Sequence, residues 1–253
     1  MKLVRDTWLL FVQNMRQTMR MPIWVIIGLF QPLCYMLLFA PLLQSISRVP
    51  GFPPGGALTV FTPGVLIMMG LFSAISSGYG LIAELQSGII ERLRVTPVSR
   101  LALLLSRVLR DVLILLVQSL LVLLLALALG AHANLAGLLW TFVLLILLGA
   151  CLSSCSYGLA LALKDVNALA SFLNTLTMPI FLLSGIYLPL TLAPPVLRTI
   201  AAFNPIAYAV SAARLLFNGT IADSTVVEGF VIIGILMLAA ILWGARSFQR
   251  ATA

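Results

Sequence analysis

The chain has 253 residues, of which 62% are hydrophobic and only 9% charged, and its mean hydropathy is +1.15. Soluble domains have about 25% charged residues, so this composition excludes an ordinary soluble enzyme and predicts a protein whose solvent is mostly lipid. The net charge of +8 does not indicate nucleic-acid binding, because the basic residues lie beside apolar runs and no basic face with interleaved aromatic residues exists outside them.

Residues 1–22 are predicted to form a helix at the membrane interface. Apolar residues recur there near helical spacing, with Lys2, Arg5, Arg16 and Arg20 between them. A basic amphipathic helix of this kind lies in the plane of the membrane surface. A cleaved signal peptide fits less well, because the charged region is long and the apolar run after it is too long.

Residues 23–253 are predicted to be a single all-α domain with six transmembrane helices. A membrane-spanning helix needs about 20 predominantly apolar residues, and six runs reach this length. They are residues 23–43, 58–83, 112–131, 135–163, 166–188 and 226–245. Along the fourth run Ala150, Ser154, Gly158 and Ala162 recur every four residues, which predicts a face for close helix packing.

The distribution of positive charge predicts the orientation of these spans. With both termini in the cytoplasm, only Arg48, Arg198 and Arg214 of the 15 basic residues lie on the outer side. Cytoplasmic loops carry an excess of Lys and Arg, so this orientation is favoured. A seventh span within residues 192–214 would move Arg246 and Arg250 to the outer side, which counts against it.

A charged segment, residues 84–111, separates the second and third predicted spans. Glu84, Ser87 and Glu91 fall near one face of a helix that continues the second span. Thr96-Pro97 would break this helix, and Thr96 or Ser99 would cap the next one. The segment is either an ordinary solvated loop or a short transverse helix on which a partner pushes, and its internal order favours the second interpretation.

Residues 190–224 are apolar but interrupted. Arg198 and Arg214 bound a stretch too short for a full crossing, and Asn204-Pro205 breaks it. We expect a pair of short re-entrant helices on the outer side.

The sequence contains no pattern that indicates catalysis. The GxxxxGK[ST] phosphate loop, the GxSxG nucleophile motif and the HExxH zinc motif are all missing, and one histidine with three cysteines in apolar runs predicts no metal site. The deep interiors of the predicted spans hold no Asp, Glu, Lys or Arg, unlike an ion-coupled transporter. If energy drives this protein, we expect it to come from a partner.

Two sequence stretches resemble one known family. ELQSGIIERLRVTPVSRLALLLSRVLRD, residues 84–111, resembles the cytoplasmic loop of type-2 ABC export permeases, with the daunorubicin-resistance and nodulation-factor branch nearest. MPIFLLSGIYLPL followed by LAPPVLRTIAAFNPIAYAVSAAR resembles the same family's last outer segment. The order of elements covers nearly the whole chain.

The resemblance implies a six-span half-transporter that pairs with a second copy and with two separate ATP-binding subunits. It implies roles for four sets of residues. The ATPase-coupling contacts would be Glu84, Ser87, Gly88, Glu91, Arg92, Leu93, Thr96, Pro97 and Arg100, and the interface helix would use Trp8, Phe11 and Arg16. The translocation path would be lined by Gln31, Tyr35, Asn174, Thr175 and Phe181, and the outer gate would contain Asn204, Pro205, Tyr208 and Arg214.

The expected function is therefore that of a permease subunit in an ATP-driven efflux system. The chain itself would bind no cofactor and hydrolyse no ATP, because ATP and magnesium would be bound by the partner. We expect a multi-pass protein of a bacterial inner membrane, in contact with lipids, exporting an amphipathic drug, lipid or glycolipid, with antibiotic resistance among the outcomes. A passive channel is the alternative, and homodimer versus heterodimer stays open.

Overall fold

The structure is a computed structural model that describes residues 2–20, 23–46, 56–88, 99–187, 190 and 193–251. Within these ranges the chain forms nine helices and no strand, which confirms the all-α fold class. In chain order the helices are α1 (Lys2–Arg20), α2 (Ile23–Ile46), α3 (Gly56–Gln86), α4 (Arg100–Ala128), α5 (Leu135–Leu163), α6 (Val166–Leu183), α7 (Pro195–Ala201), α8 (Pro205–Phe217) and α9 (Ser224–Ala251).

Five of these helices, α3, α4, α5, α6 and α9, are each long and apolar enough to cross a membrane. Two bent pairs, α1 with α2 and α7 with α8, raise the number of candidate spans to at most seven. The axes of α7 and α8 differ by 101°, as in a broken span or a re-entrant loop. The exact arrangement of six spans therefore stays a prediction.

The helix that contains the third predicted span begins at Arg100, well before residue 112. Ser99 caps it, because its side-chain oxygen accepts a hydrogen bond from the Ala102 N–H at 3.2 Å. Residues 100–111 are thus the first three turns of a membrane-length helix, which starts earlier than predicted, and the transverse helix of the coupling segment stays a prediction. The physical reason for the earlier start is that Arg107 and Asp111 find buried partners on neighbouring helices.

Short capped turns connect the next helices. The Asn134 side chain accepts from the N–H groups of Ala136 and Gly137 and starts α5. Lys164, in the left-handed conformation with φ 55°, ends α5. Asp165 then caps α6 by accepting from the Ala168 N–H at 2.7 Å. A turn of two residues, Lys164 and Asp165, therefore connects α5 to α6.

The last two membrane helices begin and end at local signals. Helix α6 stops at Leu183, short of residue 188, because Ser184 caps it and Gly185 follows with φ 74°. Before α9, the Asp223 carboxylate accepts from the Thr225 N–H at 2.8 Å. This backbone hydrogen bond, with a further one from the Thr225 side chain, holds the pKa of Asp223 below its usual value.

Close helix contacts are made at glycines. Gly158 of α5 lies against the Trp243 ring of α9, and Gly137 of α5 lies against the backbone of Leu216 in α8. Of the predicted small-residue face on α5, Ala150, Ser154 and Gly158 are buried, whereas Ala162 is exposed. The buried core divides into one cluster near Leu81, Val108 and Leu161 and a second around α8. We call these ends of the bundle the Glu84 end and the Arg214 end.

Candidate functional site

At the Glu84 end, α3 leads into the predicted coupling segment. Gly88 adopts φ 71°, a conformation that suits glycine, and its N–H donates to Leu85 O at 3.2 Å. Ser87 is exposed, and its hydroxyl donates to the Glu84 carbonyl at 3.1 Å. These two predicted contact residues therefore form the turn that follows the end of α3.

Glu84 forms an ion pair with Arg107 of α4. Their side chains are 19% and 5% exposed, respectively, so the pair is largely removed from water. Breaking such a pair by removing one partner leaves an uncompensated buried charge, at a cost of about 3–5 kcal/mol in fully buried cases. The pair joins the two helices that enter and leave the predicted coupling segment.

One helical turn further along α4, Asp111 collects three partners. Its Oδ2 accepts from the Tyr157 hydroxyl of α5 and lies 2.7 Å from the Ser77 hydroxyl of α3. Its Oδ1 accepts from Arg110 Nε at 3.0 Å and Nη2 at 2.8 Å. Arg110 Nη2 also donates to the Tyr157 hydroxyl at 3.2 Å. Every oxygen of this buried carboxylate is satisfied, and three helices meet on it.

We call the set Ser77, Glu84, Arg107, Arg110, Asp111 and Tyr157 the charge cluster. Two acids and two arginines make its formal charge neutral, which is the condition under which buried ions are retained. Of these six residues, only Glu84 has a role predicted from the sequence. The spacing of Arg107 and Asp111, four residues apart and hence on one helix face, was the available signal for the other charges. No pattern indicated Tyr157.

The rest of the predicted coupling contacts divide into two groups. Arg100 is half-buried at the first turn of α4, and its Nη1 has no hydrogen-bond partner among the described residues. The others lie outside the described residues, namely Glu91, Arg92, Leu93, Thr96 and Pro97. Of the two predicted capping residues, Ser99 caps α4, and Thr96 lies in this undescribed part.

The interface-helix residues lie on α1, which packs on α4. Thr7 is buried, and Asn14 Nδ2 lies 3.4 Å from the Ser106 hydroxyl, one residue before Arg107. Trp8 is 61% exposed and packs on Phe11 with ring centroids 5.4 Å apart. Arg16 is exposed. Helix α1 thus touches α4 beside the charge cluster, with Trp8 and Arg16 exposed and Phe11 half-buried.

Two of the five predicted path residues belong to one chain of aromatic contacts. Tyr35 of α2 lies 6.2 Å from Tyr187, which lies 6.2 Å from Phe181 of α6. Phe181 lies 5.4 Å from Phe72 of α3. The ring planes are strongly inclined, as edge-to-face pairs prefer. Tyr187 and Phe72 were not predicted, because neither residue stands in a sequence pattern that distinguishes it from the other aromatic residues of the apolar runs.

The other three path residues stand apart from this aromatic chain. Gln31 of α2 and Asn174 and Thr175 of α6 are exposed. None of their side chains forms a hydrogen bond to another described residue. An amide or hydroxyl at membrane depth is costly in lipid unless it finds a polar neighbour.

The predicted outer-gate residues form a joint at the Arg214 end. Arg214 of α8 donates from Nε to Val60 O at 3.1 Å and from Nη2 to Gly185 O at 2.6 Å and Ile186 O at 3.4 Å. One guanidinium thereby connects α8, the first turns of α3 and the turn after α6. Gly64 completes the contact, because a Cβ there would meet Ile186 O at 2.6 Å.

The start of α8 is fixed by the remaining gate residues. Asn204 Oδ1 accepts from the Ile206 N–H at 3.0 Å, and its Nδ2 donates to Ile180 O of α6 at 3.0 Å. Pro205 occupies the first turn, where a missing N–H costs nothing. The Tyr208 hydroxyl donates to Ala202 O at 3.1 Å and holds the bend between α7 and α8. All four predicted residues are thus structural parts of one region.

Membrane-length helices held by a charge cluster at one end and a bent helix pair at the other define a polytopic membrane protein. The sequence profile of the ABC-2 type transporter family matches residues 5–218, and the chain belongs to this family. This confirms the resemblance drawn from residues 84–111 and from the outer segment. The chain is accordingly a transport permease of the membrane, and the family implies an ABC ATP-binding partner in general.

Three similar proteins carry the description "Putative transport permease ycf38". The one from Cyanophora paradoxa is 27% identical over 217 residues, covering 85% of this chain and 75% of the relative. The one from Pyropia yezoensis is 27% identical over 221 residues, with the same coverage. The one from Porphyra purpurea is 25% identical over 209 residues, covering 81% and 71%.

Proposed function

We propose that this chain is the membrane-spanning subunit of an ATP-driven exporter, that two copies form the translocation path, and that two separate ATP-binding subunits drive them. ATP and magnesium are bound by those subunits, and this chain performs no hydrolysis. Both termini and the segment after Glu84 face the cytoplasm of a bacterial inner membrane, where the partner docks. Efflux of an amphipathic drug, lipid or glycolipid is the activity.

The observation that carries this proposal is the ion pair between Glu84 and Arg107. The pair joins α3 and α4 on the two sides of the segment that a motor would push. A load on either side of that segment therefore reaches both helices, since separating a buried pair is costly. Asp111 extends the connection to α5 through Tyr157. The three helices can then move as one unit.

The exposed face of α6 supports a path between two copies. Ser171, Asn174 and Thr175 are exposed and recur at the spacing of one helix face. Such a polar stripe is poorly suited to acyl chains and well suited to a second protein or a cargo. Met178, Pro179 and Leu182 continue it as one wall of an apolar groove of about 480 Å³. A surface that is polar along one part and apolar along the next suits an amphipathic cargo.

The partner's ATPase activity tests the docking assignment. The complex is isolated through a tag on this chain, with Glu91→Lys compared with Glu228→Lys, an equal charge reversal on an exposed residue near the start of α9. We expect Glu91→Lys to lower the amount of copurified ATP-binding subunit and its turnover, and Glu228→Lys to change neither. Normal binding and turnover with Glu91→Lys contradict the assignment.

A flux measurement distinguishes the exporter from the passive channel. Proteoliposomes that contain this chain with its ATP-binding subunit are loaded with members of a small panel of amphipathic cargoes. The proposal predicts cargo movement across the membrane that requires ATP and magnesium and that is absent with this chain alone. Equal flux without ATP is the result expected of a channel and overturns the proposal.

A further inference from the structure

Helix α1 carries its cations on one face. Lys2, Arg5, Arg16 and Arg20 are all exposed, and none forms an ion pair within the part of the chain that the structure describes. At 3.6 residues per turn they fall within a sector of about 60° around the helix axis. Asp6, the acid of this helix, lies outside that sector. We call the four residues the basic stripe.

The remaining faces of α1 fix the direction in which the basic stripe points. One face is turned to α4, with Thr7 buried and Asn14 beside Ser106. The next face is apolar and exposed, with Val4 at 72%, Trp8 at 61% and Met19 at 71% exposure. In a membrane protein such a face enters the acyl chains. The basic stripe adjoins it on the side away from α4, which is the level of the lipid headgroups.

We propose that the basic stripe of α1 is a binding surface for anionic lipid headgroups, so that this helix selects lipids such as phosphatidylglycerol over zwitterionic ones. The charges are complementary, since four cations without an internal acid meet phosphates that carry no compensating cation. Each Lys or Arg near an anionic surface contributes a factor of about five in binding. Because α1 contacts Ser106, next to Arg107, the lipid bound there lies one helix away from the charge cluster.

The proposal does not depend on an ATP-binding partner, and lipid quenching tests it directly. A variant that keeps Trp8 as its single tryptophan (W24F, W140F and W243F together) is reconstituted in equal mixtures of phosphatidylcholine and phosphatidylglycerol. In one mixture the phosphatidylcholine carries brominated acyl chains, and in the other mixture the phosphatidylglycerol carries them. We expect several-fold stronger quenching of Trp8 by the brominated phosphatidylglycerol, with the preference falling as salt rises.

Three comparison variants complete the test. Replacing the basic stripe by glutamine (K2Q, R5Q, R16Q and R20Q together) is expected to abolish the preference. Replacing Arg246, an exposed arginine of α9, by glutamine (R246Q) is expected to leave the lipid preference intact. A variant that keeps only Trp140, at the Arg214 end and 47% exposed, is expected to show no preference.

Three outcomes overturn the proposal. They are equal quenching by the two lipids in the Trp8 protein, a preference that survives loss of the basic stripe, and loss of a copurifying soluble protein without any change in lipid preference. The last result would assign the basic stripe to a protein partner. If the Trp8 variant does not fold, phosphatidylglycerol retained by the otherwise unaltered chain after detergent extraction is compared with that retained by the stripe variant. Equal retention contradicts the proposal.

Discussion

The hydroxyl of Tyr157 in α5 donates a hydrogen bond to the carboxylate of Asp111 in α4, and both side chains are buried. The contact joins two membrane helices at the Glu84 end, next to the predicted coupling segment. The Asp111 carboxylate also accepts hydrogen bonds from Arg110 and Ser77, so one carboxylate connects three helices. Buried networks of this kind specify a single arrangement only when every member is satisfied.

Replacing Tyr157 by Phe is expected to destabilise the protein by about 1–3 kcal/mol. The ring still fills its site, but Asp111 loses a partner while remaining buried, and Arg110 loses one while half-buried. Thermal unfolding of the purified protein in detergent measures the effect. Tyr79→Phe on α3 is the matched control and is expected to change stability by less than about 0.5 kcal/mol. Equal effects of the two substitutions would show that the Tyr157 hydroxyl contributes nothing.

The Glu84–Arg107 pair is expected to show coupling in a double-mutant cycle. Glu84→Gln and Arg107→Gln each leave one charge without its partner, whereas the double variant leaves none. We expect the double variant to be more stable than the sum of the two single effects predicts, with a coupling of about 1–3 kcal/mol. The midpoints of unfolding measure it. If the stability losses of the two single variants simply add in the double variant, the ion pair contributes nothing to stability.

A methyl group at Gly137 is expected to separate α5 from α8. A Cβ at that position would overlap the carbonyl of Leu216, which is backbone and cannot rotate away. Gly137→Ala should therefore cost about 1–3 kcal/mol or more in stability. Gly234→Ala in α9, where nothing lies within 4 Å, is the control and should be neutral or stabilising by up to about 1 kcal/mol. The same loss at both positions would contradict this packing.

Arg214→Lys is expected to loosen the joint at the Arg214 end. The guanidinium reaches carbonyls of α3 and of the turn after α6 at the same time, and a lysine ammonium cannot reproduce that fork. We expect a loss of about 1–3 kcal/mol and faster proteolysis after α6. Arg246→Lys, an exposed site, serves as control. Unchanged stability and proteolysis at Arg214→Lys would contradict the joint.

Local signals predicted the helices whose ends depend on neighbouring residues. Helix α5 has the predicted bounds, because Asn134 caps its start and the Lys164-Asp165 turn ends it. The start of α4 differs, since charged residues before residue 112 were assigned to water. Arg107 and Asp111 are instead buried by partners more than 20 residues away in the sequence, and spacing along one helix cannot reveal them.

In the candidate site, too, residues with a local sequence signal were predicted and residues positioned by tertiary packing were not. The gate residue Asn204 was recognisable because Asn-Pro before an apolar run is a helix-start signal, and it caps α8. Tyr187 was not, since its contact with Tyr35 arises only when α2 lies beside the turn that follows α6. Aromatic and polar partners brought together by tertiary packing leave no periodic trace in the sequence.

The movement of α5 with ATP is the central claim, and a single spin label per chain tests it. Lys164→Cys, with Cys34, Cys151 and Cys155 replaced by serine, places the label in the exposed turn after α5. In the complex with its ATP-binding subunits, the account predicts a dipolar distance between two copies that shifts when ATP is trapped. A complex with no dipolar partner, or with the same distance in both nucleotide states, would contradict it.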